Sequence, residues 1–294
     1  MKNLFRISLL ILSMVLGVTR ANSAILYKIE GNGVKAPSYI FGSHHLSPID
    51  VVEKSGVMKY FEETEQVIGE IDLTIDQMAL AMKLQPYMMA PADSTLSVLL
   101  AGEDMDALNE QFMKWAPMPG MQLQMLEPMK PMAVSTMIAA GMSMQAMEGY
   151  DPTQQLDTYF FQEGKKEGKK IVGLETPEFQ AEVLFNKTPL TVQAESLIEV
   201  LKEPEQAIEA SKKLAKAYQD RDLDAMFKIS EESDEHPEFM ENILDLRNAN
   251  WMTQLPTLIE ETPSFIVVGA LHLAGPNGIL EGLKNEGFTI TPIY

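Results

Sequence analysis

Two short turns of the sequence share the pattern G-x-x-H, and together they hold three of the chain's four histidines. The first turn carries Gly42, His44 and His45, and the second carries Gly269 and His272. Chance would give roughly a quarter of one such match in a chain with so few histidines, which limits the risk of a false motif. Histidine titrates near neutral pH and ligates metals, so each turn is a candidate for acid–base or metal chemistry.

Each turn follows an apolar run that is typical of a buried β-strand, at residues 38–41 and 265–268. After the second run, residues 269–294 have the pattern of a glycine-rich turn, a helix and a closing strand. In open α/β sheets, sites usually lie at the carboxyl ends of strands. The sequence therefore predicts that His45 and His272 lie at strand ends, where a site forms.

Two carboxylates are placed in the same way after predicted strands. Glu70 lies at the end of the strand predicted at residues 66–71, and Glu175 follows the strand predicted at residues 170–174. Glu70 is either a solvent-facing strand residue or a carboxylate aimed into a pocket beside His45. Glu175 is either a cap for the helix that follows it or a second carboxylate of the same pocket.

Arg247 lies in residues 242–259, which are predicted to form one amphipathic helix. Its guanidinium either sits on the surface or holds a site carboxylate in a bidentate ion pair. The remaining histidine, His236, lies in an acidic segment at residues 231–238 and is interpreted as solvated.

The elements that must position these residues alternate between strands and helices. A hairpin of strands is predicted at residues 25–30 and 38–41, and a strand at residues 288–293. A helix is predicted at residues 48–63, and residues 177–261 are predicted to be helical throughout.

Methionine is concentrated in a helical insertion at about residues 75–148, which holds most of the chain's 21 methionines. Methionine fills irregular cores and also lines adaptable binding surfaces, so this insertion is either a plastic core or a groove for an apolar peptide or lipid. Pro117, Pro119, Pro128 and Pro131 divide it into short pieces, which indicates a cap or lid rather than a long bundle.

Residues 1–24 have the features of a signal peptide, with two basic residues, an apolar core and small residues for cleavage after Ser23 or Ala24. We expect residues 25–294 to form a single exported domain, periplasmic or secreted, without a stable membrane anchor. The net charge of −19 argues against binding to nucleic acid and to anionic membranes. The absence of cysteine excludes disulfides, thiol catalysis and cysteine-bound metal.

The chain resembles the TraB/GumN family, which also includes the PrgY-type pheromone-shutdown proteins and the Tiki proteases. The resemblance is carried by LYKIEG and YIFGSHHLSP near the start, VIGEID, LDTYF, GKKIVGLETPEFQ, LRNANW and FIVVGALHLAGPNGILEGLKNEGFTITPI. It spans nearly the whole mature chain, although the Met-rich middle contributes little. The family is similar in turn to the erythromycin-esterase and ChaN-like fold. The resemblance therefore implies an α/β (α+β mixed) fold, in which helices surround a central mixed β-sheet built from N-terminal and C-terminal segments.

The resemblance also implies a metal-dependent hydrolase. Tiki relatives are metal-dependent proteases that need both G-x-x-H histidines and an acidic residue. Carried over to this sequence, the metal ligands fall on His45, His272 and Glu70. Glu175 and Arg247 match further family positions and are the other expected catalytic residues, together with Glu70.

Two imidazoles and a carboxylate are able to hold Zn²⁺, Mn²⁺ or Co²⁺ with a position open for water, and such a metal would activate that water. Glu175 or Glu70 would take the proton, and Arg247 would stabilise an oxyanion or orient a carboxylate. A metal-free site is the alternative, with His45 or His272 as the base and Glu70 orienting it.

Three functions follow from these expectations. The first is an exported hydrolase acting on a peptide or a related amide or ester, and the second is a non-catalytic protein that binds a peptide or apolar ligand through the Met-rich helices. The third is a metal or haem carrier, for which only His44, His45 and methionines are available as ligands. His44 departs from the apolar residue expected inside the family motif, and it is either a second ligand or a filler.

Overall fold

The structure of the protein is a computed structural model that describes residues 24–115, 121–146, 151, 153–232 and 237–294. The predicted signal peptide up to Ser23 lies outside these residues, and so do His236, Pro117 and Pro119.

Six strands form one mixed sheet, which confirms the expected fold class. Their bounds are Leu26–Gly31 (β1), Ser38–Ser43 (β2), Gln66–Gly69 (β3), Lys170–Gly173 (β4), Ser264–Gly269 (β5) and Phe288–Ile293 (β6). The strand order is β4-β3-β5-β2-β1-β6. Strands β2, β3, β4 and β5 are parallel, whereas β1 is antiparallel to both β2 and β6. The sheet thus joins N-terminal and C-terminal segments, and β5 lies between β3 and β2 at its centre.

Each of the four parallel strands has a glycine at or next to its carboxyl end. Gly69 of β3 pairs with Gly173 of β4, and Gly269 of β5 pairs with the last residue of β2. A Cβ at Gly69 would lie 2.4 Å from the Phe161 ring, and one at Gly173 would lie 2.8 Å from a backbone nitrogen. Glycine at these two positions therefore lets neighbouring segments approach the edge where the strands end.

Helices occupy most of the remaining chain. The first seven are Val51–Ser55 (α1), Met58–Glu62 (α2), Gln77–Met88 (α3), Leu96–Leu99 (α4), Gly102–Trp115 (α5), Pro131–Ala146 (α6) and Leu156–Lys166 (α7). They are followed by Pro177–Asn186 (α8), Leu190–Lys202 (α9), Pro204–Gln219 (α10), Leu223–Glu232 (α11), Pro237–Met240 (α12), Arg247–Met252 (α13), Leu255–Glu261 (α14) and Ile279–Asn285 (α15). Two 3₁₀ turns lie at Leu123–Met125 and Ala270–Leu273, and Glu241–Leu246 is a π-helix. Among the residues described, no helix is both long and apolar enough to cross a membrane.

The main core surrounds the sheet, and one part of it lies between the sheet and helix α7. Phe41 of β2 and Phe265 of β5 pack against Phe160 of α7, with ring centroids 5.5 and 4.8 Å apart. Phe61 of α2 closes the same aromatic cluster. Each such buried ring stabilises the fold by roughly 1.5–3 kcal/mol relative to exposure. The packing holds α7 against β3, β4 and β5.

Residues 242–259, predicted as one helix, form three segments instead. The π-helix Glu241–Leu246 runs directly into α13, and the chain then breaks at Thr253 and Gln254 before α14. A π-turn accommodates an extra residue, which changes the direction of the side chains that follow it. Arg247 is the first of those residues, so a sequence pattern with a 3.6-residue period does not predict where it points. The helix predicted at residues 48–63 is also divided, because Gly56 between α1 and α2 is left-handed, with φ of 63°.

The Met-rich insertion comprises helices α3 to α6, here called the helical cap, and a hydrophobic cluster joins α4, α5 and α6 to α9 and α10. Its methionines divide between core and surface. Met142 is buried in the cap core, whereas Met78, Met82, Met113 and Met125 are exposed. The helices α3, α4, α5 and α6 are 12, 4, 14 and 16 residues long.

Candidate active site

The carboxyl ends of the parallel strands bring together the predicted site residues. Glu70 directly follows β3, Glu175 lies two residues beyond β4, and His272 lies in the 3₁₀ turn after β5. His45 lies two residues beyond β2. Arg247 reaches the same edge from the start of α13.

Arg247 is the centre of the buried part of this site. Its Nε and Nη2 donate to Oε1 of Glu175 at 2.9 and 2.7 Å, and Nη2 also donates to Oε2 of Glu70 at 2.6 Å. Its Nη1 donates to Nε2 of His272 at 3.1 Å and to the carbonyl of Ile243 at 3.3 Å. A guanidinium has five N–H donors, and these contacts use all five. The structure therefore places Arg247 as a buried bridge between two carboxylates, rather than on the surface.

The carboxylate of Glu175 is fully buried and has a partner on each oxygen. Trp251 Nε1 donates to Oε2 at 2.8 Å, while Oε1 accepts from Arg247 and from Gln180 Nε2, the latter at 3.1 Å. The helix after Glu175 is capped by the Thr176 side chain instead. Glu175 is thus a member of the site and not a helix cap.

Of the two carboxylates that contact Arg247, Glu70 is the more exposed, with 16% of its side chain accessible to solvent. Its Oε1 accepts from the Gly269 amide at 3.0 Å, and its Oε2 accepts from Gln180 at 3.1 Å in addition to Arg247. Burial raises the pKa of Glu70, but neighbouring His272 and Arg247 lower it more than burial raises it, to about 2. Glu70 is therefore ionised over the physiological pH range.

His272 is buried, and its neighbours fix its neutral form. Nε2 lies against the donor Arg247, so it must accept, and Nδ1 then donates to Oδ1 of Asn248 at 2.7 Å. Asn248 is held in turn because its Nδ2 donates to the carbonyls of His272 and Asn277. Burial lowers the pKa of His272 to about 3, because the opposing effect of Glu70 is smaller. Its ring packs on Trp251, with centroids 4.4 Å apart.

His45 stands in the opposite environment, with 66% of its side chain exposed. Its Nδ1 lies 3.4 Å from Oδ2 of Asp157, whose other oxygen accepts from Ser43 Oγ at 2.7 Å. Asp157 lies in the first turn of α7 and is nearly buried. The Asp157 carboxylate raises the pKa of His45 above its ordinary value of 6.5, and the charge of Glu70 acts in the same direction.

His44 points away from this group and packs as a filler. Its ring stacks on Tyr218 with centroids 5.2 Å apart, and its Nδ1 lies 3.3 Å from Ser47 Oγ. The Tyr218 hydroxyl donates to the carbonyl of Gly42 at 2.9 Å, which ties this packing to the first G-x-x-H turn. Burial lowers the pKa of His44 to about 4.

Sequence reasoning missed Asp157, Asn248, Gln180 and Trp251 as site residues. Asp157 and Gln180 lie in the segments LDTYF and GKKIVGLETPEFQ, and Asn248 and Trp251 lie in LRNANW. These segments carry the family resemblance. The resemblance is therefore the signal in the sequence that points to these four residues. The pattern of each helix alone does not distinguish a buried polar residue from a solvated one.

The side chains present do not fit a divalent metal in this arrangement. Within the described ranges, no group of three or more His, Asp or Glu side chains is placed to hold one. The Nε2 atom of His272 faces the guanidinium of Arg247, and that guanidinium occupies the space between the two glutamates. The metal expected on His45, His272 and Glu70 stays a prediction.

One comparison with known proteins gives a match, and that match covers nearly all of the described residues. The model of the TraB/PrgY/gumN family matches residues 25–292, so the chain belongs to this family. The comparisons with curated proteins and with solved structures each return no match.

Proposed function

We propose that this member of the TraB/PrgY/gumN family is a hydrolase of a peptide or a related amide or ester, with His45 as its general base. The observation that carries the proposal is the pairing of an exposed imidazole with a nearly buried carboxylate, Asp157, beside an ordered, charged group at the strand edge. Aspartate behind histidine is a recurring arrangement for a general base, because it fixes the ring and stabilises the imidazolium.

In the proposed reaction, a water molecule attacks the carbonyl carbon of the substrate while its proton passes to Nε2 of His45. Nδ1 of His45 faces Asp157 and keeps its own proton. The carbonyl electron pair moves onto oxygen to give a tetrahedral oxyanion. When that pair returns, the bond to the leaving nitrogen or oxygen breaks, and His45 gives the proton to the leaving group. The products are a carboxylic acid and an amine or alcohol.

Arg247 acts in this proposal as a positioning residue. All five of its donors are used within the protein, so none is left for a substrate oxyanion. It holds Glu70 ionised at the border of the site, and Glu70 is placed to orient the attacking water or a positive group of the substrate. Arg247 supplies one positive charge beside two carboxylates, while His272 is neutral, which favours neutral or cationic substrates.

The test is a peptide and ester library incubated with the purified mature protein, with products identified by mass spectrometry. We expect His45→Ala to lower kcat/KM by about 10²–10⁴-fold, the usual contribution of a positioned base. Asp157→Asn should lower the rate less and move the rising limb of the pH profile to lower pH, because the base must be neutral and its pKa falls. His236→Ala, at a histidine of neither turn, is the matched control and should leave the rate unchanged.

Parallel reactions with a chelator and with added Zn²⁺, Mn²⁺ or Co²⁺ separate the metal-dependent hydrolase from the metal-free one. Hydrolysis that His45→Ala leaves intact would contradict the proposal. The proposal includes export, for which the support is the signal-like pattern of residues 1–24.

A second candidate function is non-catalytic binding of an apolar peptide on the helical cap. The observation that favours it is the exposure of Met78 and Met82, at 74% and 70%, one turn apart on α3. The same library distinguishes the two functions, since saturable binding without turnover, unaffected by His45→Ala, would support binding alone.

A further inference from the structure

A buried lysine that the proposed reaction does not use lies in the helical cap. Lys130 directly precedes α6 and is only 8% exposed. Its Nζ donates to the side-chain carbonyl of Asn186, and no carboxylate of the described chain forms an ion pair with it. Lysine is rarely buried without a paired negative charge, because desolvating the ammonium costs free energy. Burial lowers the pKa of Lys130, and the charge of Glu182 opposes this only in part.

A polar group without a hydrogen-bond partner in the described chain lines the same groove as Lys130. The hydroxyl of Thr188 is buried and has no hydrogen-bond partner among the described residues. Such a group is uncommon in a native protein and calls for an explanation. Gln193 holds this turn in place, because its Nε2 donates to the Thr188 carbonyl at 2.8 Å and its Oε1 accepts from the Met132 amide at 3.2 Å.

Lys130 and Thr188 both line one open groove with a volume of about 520 Å³. The remaining walls are mainly apolar and include Met89, Pro91, Phe185, Pro189 and Leu190. Helices α6 and α9 also begin at this groove, and helix N-termini favour negative charge. The groove therefore combines unused donors, positive potential and an apolar surface.

We propose that this groove binds a small carboxylate with an unbranched apolar chain, whose head group lies between Lys130 and Thr188. A carboxylate only accepts hydrogen bonds, so one head group satisfies both donors and neutralises the ammonium. The chain would lie along the methionine, phenylalanine and leucine of the walls, since methionine adapts to irregular ligands. This site is separate from the hydrolase site and does not depend on the hydrolase proposal.

The test is isothermal titration calorimetry of the full mature protein with decanoate, decanol and butyrate. We expect saturable, one-to-one binding of decanoate and much weaker binding of the other two, because decanol lacks the charge and butyrate lacks the chain. Lys130→Met should weaken decanoate binding by at least about tenfold, the scale of one charge-assisted hydrogen bond. Thr188→Val should weaken it less, and Lys212→Met, at an exposed lysine, should leave it unchanged.

Thermal unfolding shows whether the variants remain folded. Because an apolar replacement removes a buried unpaired charge, Lys130→Met should unfold at the same temperature as the parent or a higher one. His45→Ala should bind decanoate normally, so failure at this groove and failure at the hydrolase site are distinguishable. No binding of decanoate to the parent, or equal binding to Lys130→Met, would overturn the proposal.

Discussion

The two G-x-x-H turns have the same spacing and the same place at a strand end, yet their histidines occupy opposite environments. His272 is buried and neutral between Arg247 and Asn248, and its pKa is lowered to about 3. His45 is largely exposed beside Asp157, and its pKa is raised. The motif thus sets where each imidazole lies, whereas side chains from other elements set its charge.

The two turns also differ in how they contact the rest of the protein. The second turn belongs to a closed network in which each donor of Arg247 already has an acceptor within the protein. The first turn leaves 66% of the His45 side chain exposed. An ordered buried network beside one exposed imidazole supports the hydrolase proposal, because preorganised polar groups favour charge that develops in a reaction.

The largest effect should come from removing the residue that distinguishes the two turns. Arg247→Met leaves Glu70 and Glu175 buried without their cation, and such a loss typically costs about 3–5 kcal/mol of the free energy of unfolding. Urea denaturation measures this value. Lys54→Met, which breaks an exposed ion pair with Asp50, is the control and should cost less than about 1 kcal/mol. Equal stability of Arg247→Met and the parent protein would show that the network contributes little to the fold.

A smaller effect should separate the two motif glycines. A Cβ at Gly42 would lie 2.9 Å from Cδ1 of Leu273 and 3.0 Å from Cα of Ala270, so Gly42→Ala should destabilise the protein by about 1–3 kcal/mol. A Cβ at Gly269 would meet Glu70 and His272 only at 3.4 and 3.5 Å, which is ordinary contact. Gly269→Ala should therefore change stability by less than about 0.5 kcal/mol. Equal losses in the two alanine variants, again measured in urea, would contradict the difference between the turns.

The smallest effect concerns the charge of the two imidazoles, which NMR titration of the histidine ring signals measures directly. The His45 signal should titrate above pH 6.5 and shift to a lower pKa in Asp157→Asn, whereas the His272 signal should not move between pH 5 and 8. A His272 signal that titrates near neutral pH would contradict the neutral form assigned by the hydrogen bonds.

The stability consequences of these pKa values have opposite signs. Since the folded pKa of His45 is raised, its contribution to stability is complete below pH 6.5 and is lost as pH rises through the raised value. The folded pKa of His272 is lowered, so the unfolded chain takes up a proton first, and stability falls as pH drops from 6.5 toward 3. Glu70 adds to the same acid sensitivity between about pH 4.5 and 2.

Much of the site was predictable because four of its side chains lie within three residues of the end of an apolar strand. His45, Glu70, Glu175 and His272 are placed by strand ends, and strand ends are visible in a sequence. The position of Arg247 was less predictable, because the π-helix before it changes the side-chain direction. The family resemblance, rather than helix periodicity, indicated that it belongs to the site.

The roles of the partners could not be predicted, for a physical reason. Asp157 meets His45 only because packing against Phe41 and Phe265 fixes helix α7 at the strand edge. Contacts of this kind depend on how two elements pack against each other. The residue pattern within either element does not predict that packing. Lys130, the buried lysine of the cap, is a similar case. Only the folded structure shows that no carboxylate of the described residues forms an ion pair with it.

The central position of β5 has a consequence for the order in which this protein acquires its site. Strand β5 pairs with β2 on one side and with β3 on the other, and both partners lie more than 190 residues earlier in the sequence. Neither of these long-range pairings forms before β5 has been synthesised. During synthesis, a chain that ends before β5 contains His45, Glu70, Glu175 and Arg247 but lacks the strand that joins β2 to β3. The edge that brings these side chains together is therefore complete only once β5 has been synthesised and inserted.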